Sequence, residues 1–194
     1  GDSGARTEFE TYVPGLLIFS VLMLIYQASM VIAHEVEAGT LRRLRITRMS
    51  SFDLLGGISL SQLVIGAAGI GLTFLVALAL GFESEGPVWV AMIISLITAF
   101  SAIGLGLIVA CFSHTVARAF MLSTFPLFLM MFFTGVFLPV PNVALFTLGG
   151  REIGIFDSLP PTHAVVALNK VLTLGGGLDS VLFELAAVTG LSLV

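Results

Sequence analysis

Long apolar runs separated by short polar stretches organise this chain. Residues 11–33, 54–82, 86–117 and 119–150 contain no Asp, Glu, Lys or Arg. A helix needs about 20 apolar residues to cross a bilayer core, so each run has room for a span. The pattern predicts membrane helices over 12–33, 54–82, 88–112 and 119–137. A fifth apolar stretch starts near 178 and reads as a truncated span to 194. The opening residues, 1–11, are polar and acidic, without the basic-then-apolar order of a signal peptide. They read as the end of an extracytoplasmic segment of a longer protein. The expected fold class is an all-α membrane protein, a polytopic helix bundle.

Local chemistry refines the spans. Pro14 sits where the first span begins, and a missing N–H costs little in a first turn. The second span carries "GAAGIG" at Gly66–Gly71, and small residues let membrane helices approach closely. Residues 138–177 are too apolar for an ordinary loop and are broken by Pro139 and Pro141. Backbone at membrane depth must stay hydrogen-bonded or be buried in protein. Two short re-entrant helices, joined at the surface by "REIGIFDS", meet that demand. The second would lie in "PPTHAVVALNKVLTLGGG", with prolines before it and glycines after it.

Composition removes the soluble alternative. The chain is 57% hydrophobic and 10% charged, against about 25% charged residues in a soluble domain. Net charge, −4, adds little where burial in lipid dominates. The lone Cys111 allows no internal disulfide and reads as a small packing residue. No pattern calls for a cofactor or a metal.

One stretch breaks the apolar rule. "HEVEAGTLRRLRITRMSSFD", residues 34–53, holds Arg42, Arg43, Arg45 and Arg48 beside Glu35, Glu37 and Asp53. Lysine and arginine in short loops mark the cytoplasmic side. That puts 34–53 and Arg118 inside, and the N-terminal tail, "ESEG" and 138–177 outside. Thr40 is placed to cap a short helix from Leu41, with Leu41 and Leu44 on one face. Glu35 and Glu37 precede its start, where the helix dipole favours negative charge. Three readings of this loop follow. Its arginines anchor it to lipid phosphates, the usual use of such a cluster. Or it docks a cytoplasmic protein, which gives the carboxylates a purpose. Nucleic-acid binding lacks the interleaved aromatic residues that would support it.

The same stretch resembles the cytoplasmic loop of ABC-2-type transporter permeases, which carry an E-x-E-x-G-T-L-x-x-L run. The matching positions are Glu35, Glu37, Gly39, Thr40, Leu41, Leu44, Thr47 and Ser50. Further similarities follow in order. Gly104 and Gly106 stand at the third-span exit. Pro126, Gly135, Phe137 and Pro139 follow a proline–glycine–proline pattern. "DSLPPTHAVVALNKVLTLGG" resembles the outer run of the family. Arg48 replaces a common proline, and Ile58 a common lysine. The resemblance implies spans two to five and the start of six of a six-span permease.

It also implies a function. Such permeases pair as dimers in the cell (inner) membrane and dock ATP-binding subunits. This chain has no G-x-x-x-x-G-K-[ST] loop, so hydrolysis would fall to a partner ATPase and no catalytic residue is expected here. The loop would be the coupling helix, with Glu35, Glu37, Gly39, Thr40, Leu41, Leu44, Arg45 and Arg48 as the ATPase-coupling set. Most such systems export, with drugs, lipids and polysaccharides as candidate cargo. Candidates for the path or its gate are Gln27, Gln62, Phe128, Phe132 and Glu184. Against this, Gln27, Ser29, Ser59, Ser61 and Gln62 also suit interhelical hydrogen bonding. A non-transporting assembly or signalling component with the same fold is the alternative. An ion-coupled carrier finds no buried carboxylates in the first four spans and no evident repeat.

Overall fold

The computed structural model describes residues 3–40, 50–82, 86–133, 144–148, 151–154, 160–172, 186 and 188–190. Six helices and one hairpin make up the described chain. They are α1 (Ser3–Leu22), α2 (Leu24–Glu37), α3 (Ser51–Ala79), α4 (Val88–Cys111), α5 (Val116–Phe133) and α6 (Pro160–Leu172). The strands β1 (Ala144–Leu148) and β2 (Arg151–Gly154) lie between α5 and α6. The all-α membrane bundle read from the apolar runs is the observed class.

α1 and α2 are one rod interrupted at Met23. Met23 N–H still donates to Phe19 C=O at 3.1 Å, and Gln27 N–H to Met23 C=O at 3.4 Å. Their apolar stretch, Val13–Glu37, is 25 residues long with mean hydropathy 2.3. Phe52–Ala79 and Val88–Cys111 reach 2.1 and 2.4 over 28 and 24 residues. All three are long and apolar enough to cross a membrane, and a shorter apolar helix covers Val116–Phe132.

The α1–α2 rod and α4 form the centre. Leu17, Ile18, Val21, Leu22 and Ile25 are fully buried, facing Val90, Ala91, Ile94 and Ile103 of α4 in one core. α3 and α5 flank α2, and α6 packs on α1 and α4. Buried hydroxyls on α4 are satisfied within the helix: Ser95 donates to Ala91 C=O and Thr98 to Ile94 C=O, both at 2.8 Å. α3 is peripheral. Among its described side chains only Gln62, Gly66, Ile70, Phe74 and Ala77 are buried, a single stripe at steps of four and three. Its other faces expose Leu60, Val64, Leu72 and Leu75, as expected of a helix that meets lipid.

Three details differ from expectation. Pro14 lies inside α1 rather than in a first turn, because the helix begins at Ser3. Its missing N–H leaves the Glu10 carbonyl without the usual helical donor. Where the first of the two short helices was expected, 138–143 lie outside the described residues, and the described residues 144–148 and 151–154 pair as antiparallel strands, with Leu148 opposite Arg151. Gly149-Gly150 stand between them, the kind of pair that favours two-residue hairpin loops. Cys111 is exposed rather than packed, at the last residue of α4.

Candidate functional site

Three helix ends meet at one end of the bundle. α3 runs antiparallel to the α1–α2 rod. Leu24 lies against Gly66, while Val13 and Leu16 share a cavity lining with Leu72, Val76 and Leu80. The C-terminus of α2 and the N-terminus of α3 therefore emerge on the same side. α5 starts there too, because Glu37 Oε2 accepts from Val116 N–H at 2.9 Å.

Each end is closed by its own device. At α2, Gly39 adopts φ +71°, a left-handed conformation that favours glycine. Ala38 N–H reaches His34 C=O at 2.8 Å, and Gly39 N–H reaches Val36 C=O at 3.1 Å. At α3, Ser50 and Asp53 form a reciprocal capping box. Ser50 Oγ accepts from Phe52 N–H and Asp53 Oδ2 accepts from Ser50 N–H, both at 3.0 Å. At α5, Thr115 Oγ1 accepts from Arg118 N–H at 3.2 Å. With Glu37 on Val116, two of the orphan donors of that terminus are satisfied, one of them by a side chain from another helix.

The coupling set read from sequence is thus only partly visible. Glu35 is half-buried on α2, Glu37 is exposed and caps α5, and Gly39 and Thr40 follow. Leu41, Leu44, Arg45 and Arg48 lie outside the described residues. The Glu37 bond joins residues 79 positions apart. Sequence placed this carboxylate before a helix start, but at the helix of its own loop rather than at α5. The capping box was open to sequence through the Ser-x-x-Asp spacing and went unread.

The path candidates separate by environment. Gln27 is exposed on α2, and Phe128 and Phe132 are exposed on α5 with stacked rings 5.7 Å apart. Gln62 is 3% exposed, and its Oε1 has no hydrogen-bond partner among the described residues. Glu184 lies outside the described residues. Of the other polar residues in spans, Ser29 bonds across to Ser123 at 2.6 Å, whereas Ser61 is satisfied by Ile58 C=O of its own helix. A buried, unpaired amide oxygen costs about 1–3 kcal/mol. Gln62→Leu keeps the volume and removes that cost. It is expected to raise the unfolding temperature of the detergent-solubilised protein; a lower one would show that the amide has a partner.

Helices of this length and hydropathy define a multi-pass membrane protein. The chain belongs to the ABC-2 type transporter family, whose model matches residues 2–150. It is therefore a membrane permease component of an ABC transporter, a family whose membrane part is not itself the catalytic subunit. No match was found among curated proteins or among solved structures.

Proposed function

We propose that this chain is the permease subunit of an ATP-driven exporter, and that loop 34–53 is its seat on a partner ATPase. One observation carries the reading: the loop leaves α2 and returns to α3 at the end of the bundle where Glu37 reaches α5. A push on the loop is thereby applied to three helices at once. Arg118 follows the start of α5 at that end, and Arg42, Arg43, Arg45 and Arg48 stand in the sequence that joins α2 to α3; the positive-inside rule supports reading that side as cytoplasmic. Leu41 and Leu44 supply the apolar contact, and Glu35, Arg45 and Arg48 the charged rim. Gln27, Phe128 and Phe132 look outward from this chain, where a second permease copy would enclose the path. A lone amide facing lipid is costly, so Gln27 favours such cover.

The test is co-reconstitution of the full-length permease with its ATPase in vesicles holding a fluorescently labelled phospholipid as cargo probe. Expected are a stable complex, hydrolysis several-fold above that of the ATPase alone, and ATP-dependent movement of the probe. An ATPase indifferent to the permease would overturn the reading. A complex that hydrolyses ATP without moving this or any amphipathic probe would favour the non-transporting alternative.

A further inference from the structure

α2 and α5 are antiparallel and tied by polar bonds along one face. Ser29 and Ser123, both fully buried, have their Oγ atoms 2.6 Å apart. Tyr26 Oη lies 3.0 Å from Thr124 Oγ1, and the Tyr26 ring stacks on Phe120 at 5.0 Å. Glu37 holds Val116 at the cytoplasmic end. This register sets Ala33 opposite Ala119, both fully buried. From residue 26 to 37 the seam spans roughly 17 Å at 1.5 Å per residue.

Proton counting gives the bonds a direction. A hydroxyl has one hydrogen to donate. Ser29 spends its own on Tyr26 C=O at 3.0 Å, so Ser123 is the donor between the two serines. Thr124 donates to Phe120 C=O at 2.9 Å, so Tyr26 donates to Thr124. One relay therefore starts on α5 and ends on the backbone of α2; the other starts on α2 and ends on the backbone of α5. Sliding or rolling one helix against the other would break both, taking these acceptors from the buried Ser123 hydroxyl and the half-buried Tyr26 hydroxyl in an apolar medium. The other close contacts of α2 are of a different kind: Gly66 meets the side chain of Leu24, and Gly106 meets Ala28.

The seam stops short of Pro126, which lies inside α5. Proline removes one helical hydrogen bond and clashes with the preceding turn, so it is a natural point of bending. Phe128 and Phe132 lie beyond it. We propose that α2 and residues 116–124 of α5 move as one body, carrying a displacement of loop 34–53 to the Phe128–Phe132 pair. The proposal rests on that loop being the ATPase-coupling element.

The experiment uses the full-length permease with its ATPase in vesicles, with Cys111→Ser and a bimane fluorophore on Phe132→Cys. Trapping with ATP and vanadate is expected to shift the bimane emission. Ser29→Ala with Ser123→Ala removes the serine relay without adding bulk to this fully buried contact. It should cut that shift about tenfold while ATPase association and hydrolysis persist. Ser29→Cys with Ser123→Cys, oxidised by copper phenanthroline before labelling, should keep the shift within about twofold of the parent. A full shift in the alanine variant overturns the proposal. So does a shift lost on oxidation and regained with reductant, a pair that does not cross-link, or no shift in a parent that binds and hydrolyses. Absence of ATPase association in the parent would instead defeat the coupling reading.

Discussion

Leu44→Asp is expected to release the partner ATPase while the permease still inserts. A leucine seated in a protein groove contributes about 1.5–3 kcal/mol by burial. An aspartate in the same groove adds the cost of an unpaired buried charge. Together they exceed about 3 kcal/mol, roughly a 100-fold loss of affinity or more. The measurement is co-purification of ATPase with tagged full-length permease, alongside membrane fractionation of the variant. Unchanged recovery would return the loop to a lipid anchor, because phosphate contacts by Arg42, Arg43, Arg45 and Arg48 do not depend on Leu44. Glu37 is the informative contrast. Its carboxylate is already engaged by Val116 N–H, and a glutamine keeps an oxygen acceptor there. Glu37→Gln should therefore leave ATPase recovery almost intact.

That contrast shows where sequence reading stops. Apolar runs located the helices because a membrane imposes length and hydropathy on each span separately. The buried stripe on α3, at Gln62, Gly66, Ile70, Phe74 and Ala77, is likewise a property of one helix. What sequence left open depends on pairs. Glu37 finds its partner 79 positions away, and Ser29 finds Ser123 at a separation of 94. Nothing local distinguishes that Ser29 from Ser61, which turns back on its own helix. Gln27 and Gln62 looked equivalent as span glutamines, yet one is exposed and the other sealed. The strand pair 144–148 and 151–154 is hidden for another reason: Pro139 and Pro141 suggest broken helix, while the local hairpin signal is the Gly149-Gly150 pair between the strands in sequence.

Gly106 and Gly66 look alike in sequence and should respond oppositely to alanine. A Cβ built at Gly106 falls 2.7 Å from Ala28 Cβ, 2.8 Å from Ile25 O and 3.3 Å from Ser29 N. Those neighbours are the backbone of α2 and a side chain with no freedom to turn away, so α4 must move. A Cβ at Gly66 meets Leu24 Cδ1 at 2.7 Å, the far end of a flexible side chain that can change rotamer. Alanine also gains up to about 1 kcal/mol over glycine in helix propensity. Gly66→Ala should therefore be nearly neutral. Gly106→Ala should cost about 1–3 kcal/mol from overpacking, and Gly106→Leu should abolish recovery of folded protein. Thermal unfolding of detergent-solubilised variants, followed by size-exclusion profile, separates the two. Equal behaviour would mean that α4 and α2 are not in backbone contact at this point. The expected loss reaches beyond stability. Ser29 N lies in the crowded shell of Gly106, and Ser29 Oγ is the buried acceptor for Ser123 in the seam. A wedge between α4 and α2 therefore displaces the α2 backbone that holds α5, and should weaken coupling at Phe132 even in whatever fraction of Gly106→Ala remains folded.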